Sequence, residues 1–249
     1  MKGSWFSPEH SPMELYQTNL IEKVIGRNFW KDKNGSPRIT KKQIEDYKNW
    51  ANEKIYLTDS LEQTPTWDWL LEKFKEQMYS FGIDIFVIDA FNKVLLPKGN
   101  KLEQIQIVLT RLTHFAQANN VLIFLVAHPT KMQKNEEGTY NIPTLYDVSG
   151  SADFRNITHN GYTIHRNYES ETENASTDFY NMKTKFNFQG NIGDSVRFQY
   201  CEINGRYYAN NNEPTHNFLE VEEEKELPKI DAIDAFDINK IEEEDEIPF

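Results

Sequence analysis

The chain has 249 residues, 38% of them hydrophobic, a formal net charge of −12 and one cysteine. That length and apolar share supply the core of one large α/β domain, and no stretch approaches the ~20 apolar residues that span a bilayer. The opening Met1-Lys2-Gly3-Ser4-Trp5 lacks the apolar segment of a secretory signal, and the lone Cys201 excludes an intramolecular disulfide or a cysteine-built zinc site, so a soluble, intracellular protein is expected.

The charge is unevenly placed. Residues 220–249 hold 13 acidic residues and 3 lysines, which leaves the body, residues 1–219, at a net of only −2. A near-neutral body does not exclude nucleic acid, because local basic loops can still engage phosphates when several copies line a shared channel.

In chain order, Ser11-Pro12-Met13-Glu14 reads as a helix start, with Ser11 as cap and Pro12 at the first helical position; Leu20, Ile21, Val24 and Ile25 mark its buried side and Gly26 its stop. A second helix is expected after Thr40, through Ile44, Tyr47 and Trp50, leading into a short strand at Ile55-Tyr56-Leu57. A third follows Pro65, with Trp67, Leu70, Leu71, Phe74 and Met78 recurring at helical spacing as a core-facing stripe.

The two most telling runs come next. Asp84-Ile-Phe-Val-Ile-Asp89 and Leu122-Ile-Phe-Leu-Val-Ala-His128 are apolar strands that each end in one polar functional group, separated by a helix from about Lys101 to Ala118. Strand, helix, strand in this order indicates a right-handed parallel crossover, and near-continuous apolar strands belong to sheets covered on both faces, with ligands at their carboxyl ends. Asp89 there can hold the Mg²⁺ of a nucleoside triphosphate and His128 can sense its terminal phosphate; alternatively Asp89 caps a turn and His128 is a satisfied core histidine.

Residues 129–141 form a polar loop, and strand signals follow at Gly161–His165, Phe179–Phe186 and Ser195–Tyr200, the last paired with Arg206-Tyr207-Tyr208 across Asn204-Gly205. Asn167–Thr177 reads as a surface loop. Beyond Phe218 periodic apolar content ends, so residues 219–249 are expected to be a disordered acidic tail behind a domain of residues 1–218.

Leu145-Tyr-Asp-Val-Ser-Gly-Ser-Ala152, with Asn160-Gly161 and His165-Arg166 behind it, makes the pattern specific. From Phe6 to about Tyr208 the chain resembles the RecA-like motor domain of DnaB-family replicative helicases, on the phage primase-helicase and Twinkle branch, where "VAHP", "LYDVSGSA" and "HR" occur in this order. The resemblance implies a RecA-like P-loop NTPase core, a mainly parallel sheet flanked by helices with a C-terminal antiparallel hairpin. It implies ATP or another NTP with Mg²⁺ as cofactors, single-stranded DNA as partner, and a homo-hexameric ring. Phe6-Ser7-Pro8-Glu9 looks like the family's "FSxE" strand, whose Glu9 would be the general base on the attacking water. Asp89 corresponds to the Walker B ligand of Mg²⁺ and His128 to the γ-phosphate sensor. Lys183-Thr184-Lys185 matches the Lys-x-Arg finger that reaches a neighbouring subunit's phosphates, with lysine replacing arginine at Lys185. Arg166 and Tyr200 match positions near base and ribose, where Tyr200 stacks on adenine or fills the hairpin core. DNA-facing loops would be Ala90–Lys101, with Lys98 and Lys101, and Pro129–Tyr140, with Lys131 and Lys134, joined by Arg155.

One departure stands out: no G-x-x-x-x-G-K-[ST] occurs in these 249 residues, although in the family it immediately precedes "FSxE". With the first strand and phosphate loop missing, two neighbouring strand edges should stay unpaired, and the chain is expected to be the C-terminal part of a split or truncated helicase, weak in ATP binding until another polypeptide supplies the phosphate loop. The acidic tip Glu242-Glu-Glu-Asp-Glu-Ile247-Pro248-Phe249 resembles that of bacterial single-stranded-DNA-binding proteins and would dock on a replication partner, or else only solubilise. The expectation is an ATP-dependent DNA helicase motor in the cytoplasm of a bacterial or phage-infected cell. Its rivals are a non-hydrolysing DNA- or partner-binding subunit and a RecA/RadA-like recombination ATPase.

Overall fold

The structure, a computed structural model, describes residues 1–30, 37–61, 63–136, 138, 140–148, 151–166, 176–209 and 215–220. The expected loop at 167–177 lies mostly outside them, as do Ser149 and Gly150, and so does the acidic tail with its tip, apart from its first residues.

The helices form where the sequence offers starts and stops. α1 (Met13–Ile25) ends at Gly26, whose φ of +78° is left-handed. Its N-cap is Pro12 rather than Ser11, with no side-chain cap; the Pro12 carbonyl instead accepts from Leu15 N–H at 3.1 Å. α2 (Lys41–Lys54) starts with a full capping box between Thr40 and Gln43. α3 (Trp67–Phe81) is capped by Thr66 and closed by Gly82; α4 (Lys101–Asn119) is capped by Asn100 and closed by Asn120 at φ +52°. A short α5 (Ser151–Ile157) begins at the end of the "LYDVSGSA" stretch, where the sequence signals no helix.

β1 (Gly3–Phe6), β2 (Ile55–Thr58), β3 (Ile85–Ile88) and β4 (Leu122–Leu125) form a wholly parallel sheet in the order β2-β1-β3-β4. The register makes their ends level: Phe6 pairs with both Thr58 and Ile88, and Ile88 with Leu125. β5 (Gly161–Arg166), β6 (Thr177–Lys183), β7 (Ser195–Cys201) and β8 (Arg206–Tyr208) form an antiparallel sheet in chain order. The expected C-terminal hairpin is therefore the last pair of a four-stranded sheet. It is fastened to α1: Arg206 donates from Nε to the Lys23 carbonyl at 2.6 Å and from its terminal nitrogen to that of Val24 at 3.0 Å, and buried Asn204 donates to the Gly26 carbonyl at 3.0 Å. These contacts satisfy carbonyls that the end of α1 leaves open.

The core lies under the face of the parallel sheet that presents Phe6, Phe86 and Ile88, against α3 and α4. Phe74 stacks on Phe86 at 4.2 Å, both fully buried. The other face departs from the expectation of burial on both sides. Leu122 and Phe124 are each 48% exposed, while their neighbours Ile123 and Leu125 pack into the core. Among the described residues β4 pairs with β3 alone, so its far edge and one face lack the cover that its continuous apolar sequence is suited to.

Because Phe86 joins the stack on Phe74 to the central strand, Phe86→Ala should lower unfolding stability by about 3–5 kcal/mol, read by denaturant titration, whereas Phe124→Ser on the bare face should change it by well under half of that.

Candidate functional site

Parallel pairing places three chain exits side by side. Asp89 N–H donates to the Phe6 carbonyl at 2.9 Å and Val126 N–H to that of Ile88 at 2.9 Å, so the chain leaves β1, β3 and β4 at one level. Glu9, Asp89 and His128 follow directly on these exits.

Ser7 and His10 complete the cluster. Ser7 Oγ donates to Asp89 Oδ2 at 3.0 Å and shares a 2.6 Å hydrogen bond with His10 Nδ1, which lies 3.7 Å from the same carboxylate oxygen. Ser7 has one proton; when that proton goes to Asp89, His10 Nδ1 must be the donor to Ser7. Tyr16 lies tilted against His10, ring centroids 4.6 Å apart, and burial, helped by the Asp89 charge, pushes its phenol above the usual value. Asp89 is half-buried, with a carboxylate turned to a polar cluster and not to a turn of its own.

Glu9 is exposed and accepts a hydrogen-bonded ion pair from Lys93 Nζ at 3.0 Å. That contact, the largest cause, holds its carboxyl below the ordinary 4.5, with His128 and His10 adding to the same effect. His128 is exposed, which removes the reading of a satisfied core histidine. It lines a cleft of about 610 Å³ with Lys93, Lys101 and Pro129. The structure thus gathers Glu9, Asp89 and His128 at one end of the parallel sheet.

Asp89 and the Ser7 hydroxyl are hard oxygen donors. A single carboxylate beside a hydroxyl fits Mg²⁺, which takes few protein ligands and keeps water and phosphate oxygens. No group of three or more metal-binding side chains occurs among the described residues, so an ion here would depend on a nucleotide's own phosphates.

The remaining residues singled out from sequence lie on the antiparallel sheet and the loops. Lys183 Nζ donates to the carbonyls of Arg155 and Thr158, the latter at 2.6 Å, so its ammonium caps the C-terminal end of α5, and burial lowers its pKa. Lys185 points elsewhere, to His159 Nε2 at 3.4 Å. Burial and then the Lys185 and Lys183 charges lower the pKa of His159. Tyr200 is 44% exposed and tilted against Tyr207 at 5.2 Å, hence a surface pair rather than the core of the hairpin. Burial is the main cause that raises its pKa, and the Arg166 charge opposes this, which puts the exposed Arg166 nearby. Arg155 covers the Tyr146 ring at 5.1 Å and Lys134 that of Tyr140 at 5.5 Å, while Lys98, Lys101 and Lys131 are exposed. Sequence reasoning missed Ser7, His10 and Lys93. The first two flank the "FSxE" glutamate, and the third sits in a loop where basic character alone draws attention to Lys98 and Lys101.

No model of a protein family matches the chain. It is 32% identical over 186 residues to the Twinkle homolog protein, chloroplastic/mitochondrial, of Arabidopsis thaliana; the match covers 71% of this chain and 25% of that protein, so the chain spans about a quarter of the relative's length. Among solved structures, an ATPase domain superposes with a TM-score of 0.64 at 17% identity, covering 84% of this chain and 74% of that one. A DnaB-like replicative helicase studied in its interactions with primase gives 0.63 at 17% identity, over 83% of this chain and 51% of that one. The fold is therefore the RecA-like one of DnaB-type helicase ATPase domains. With the sequence match added, the chain is a Twinkle-like helicase domain of that fold. No described helix is long and apolar enough to cross a membrane.

In the same "LYDV" stretch, Asp147 accepts from Thr144 N–H at 2.6 Å and Thr144 Oγ1 at 2.7 Å, which holds its pKa below 3.8. A depressed carboxyl stabilises the fold above its unfolded pKa and loses that contribution as pH falls through the folded one. Carboxyl NMR titration should place Asp147 below 3.8, and Thr144→Val should raise it while making stability less sensitive to acid below that pH.

Proposed function

We propose that the chain is the ATP-hydrolysing motor of a replicative DNA helicase, residues 1–218, followed by an acidic partner-docking tail, residues 219–249, and that it works as a hexameric ring on single-stranded DNA. The observation that supports this reading most is the meeting of Glu9, Asp89 and His128 at the level ends of three adjacent parallel strands.

Each group then has a role set by its chemistry. Glu9 orients and deprotonates the attacking water, a task for a carboxylate outside the metal's own ligands. Asp89, held by Ser7 and His10, would carry Mg²⁺ with the Ser7 oxygen beside it, and that ion would neutralise charge on the phosphates. Exposed His128 senses the terminal phosphate and passes its state to the loop at 129–140, whose base is tied to Asp147 through Thr130 N–H at 2.6 Å. Lys185, two residues beyond β6, reaches a neighbour's phosphates, while Lys183 positions it by fixing the end of α5. Arg166 and Tyr200 face the base and ribose. Lys98, Lys101, Lys131, Lys134 and Arg155 meet the DNA backbone from the loops.

The phosphate loop comes from a segment outside these 249 residues, in the same or another polypeptide, and its strand adds to the uncovered edge of β4. The lack of G-x-x-x-x-G-K-[ST] in the chain favours a second reading, a non-hydrolysing DNA- or partner-binding subunit.

Reconstitution with a strand and phosphate-loop segment separates the two. The mixture should show ATPase stimulated by single-stranded DNA, and Glu9→Gln should lower kcat about 10²–10⁴-fold without weakening DNA binding. No gain of hydrolysis over either piece alone overturns the motor reading. For DNA, removing any one of Lys98, Lys101, Lys131 or Lys134 should weaken binding across sequences and flatten the salt dependence by roughly 0.7 per lost phosphate contact.

A further inference from the structure

Lys93 stands between the two halves of this site. It closes a single 3₁₀ turn, Phe91–Lys93, that begins two residues after Asp89 and opens the loop running to α4. Its ammonium holds Glu9 Oε1 at 3.0 Å, and the same residue lines the 610 Å³ cleft with Lys101 and His128. Both partners are open to solvent, with side chains 42% exposed at Lys93 and 33% at Glu9.

A carboxylate in that contact is a poor base. One oxygen is occupied by an ammonium, and the charge that should draw a proton from water is already neutralised. Among the described residues Lys93 is the one cation hydrogen-bonded to Glu9. Exposed ion pairs are weak and exchange readily for a better anion. A phosphodiester passing the mouth of the loop is such an anion, and Lys98 and Lys101 on the same loop would bring it there.

We infer that Lys93 is a positioning residue that keeps Glu9 in an idle ion pair until a single-stranded nucleic-acid phosphate draws the lysine away, so that DNA occupancy of the 90–101 loop releases the general base. This rests on the reading of Glu9 as base and of that loop as DNA-facing. It adds a regulatory contact that uses one side chain at a time: Lys93 serves either Glu9 or the nucleic acid, never both. The 3₁₀ turn is the natural mover, because its Phe91 stays anchored in the core while Lys93 is exposed at the other end.

The test uses the full chain with carbon-13 in the glutamate carboxyl groups, the Glu9 signal being assigned through Glu9→Gln. In the free protein Lys93→Ala should shift that signal, whereas Lys93→Arg should leave it near the wild-type position. Saturation with oligothymidylate, followed independently by fluorescence anisotropy, should move the wild-type signal to the place it takes in Lys93→Ala, and should leave Lys93→Ala itself unmoved. A Glu9 signal that ignores bound DNA, or that ignores Lys93→Ala, overturns the inference while leaving the motor reading standing. Absence of DNA binding by anisotropy overturns the inference and the DNA-facing assignment together.

Discussion

The backbone hydrogen bond from Asp89 to the Phe6 carbonyl is the contact on which the rest of the site depends. It extends the β1–β3 ladder one residue past both strands and so fixes where the chain must turn. With the matching bond from Val126 to Ile88, it makes the exits of β1, β3 and β4 a short row, and each exit delivers one chemically useful side chain. Residues far apart in sequence meet because parallel strands end in register, not because any of the three side chains binds another directly. The sheet edge is the scaffold, and the loops beyond it are free to differ in length and content.

Each carboxylate in this row has its own nitrogen partner, Lys93 for Glu9 and His10, through Ser7, for Asp89. The antiparallel sheet contributes a different kind of contact. Its lysine ammonium at Lys183 closes the end of α5, which ties the helix following Asp147 to the strand leading to Lys185.

The parallel half was legible because its signals are local. The apolar runs at 85–88 and 122–125, the helical spacing in α3 and α4, and the start and stop signals at Thr40 and Gly26 each act within a few residues. Ser11 failed as a cap because Pro12 itself takes the extended N-cap position and satisfies the first turn through its carbonyl. α5 was invisible for a different reason: seven residues are too few to show a period, and its end is satisfied by a lysine from β6. Lys183 and Lys185 look alike in sequence, and only the position of α5 decides that one caps while the other remains outward. Likewise nothing near Glu9 or Lys93 announces their pairing, since it exists only once β1 and β3 lie side by side.

The strand β4 shows how far sequence and described structure diverge, and the divergence is informative. An unbroken apolar run encodes burial on both faces and pairing on both edges. Its inner face meets that expectation through Ile123 and Leu125; its outer face, Leu122 and Phe124, stays half open beside an edge with no strand partner among the described residues. Exposed edges in natural sheets are blunted by charge, proline or a bulge, and β4 has none of these within Leu122–Leu125. The opening strand of the antiparallel sheet also has β6 as its only strand partner among the described residues, but Thr163, His165 and Arg166 make it a polar edge. β4 alone thus combines an open edge with a half-open apolar face, the combination suited to a further strand beside it.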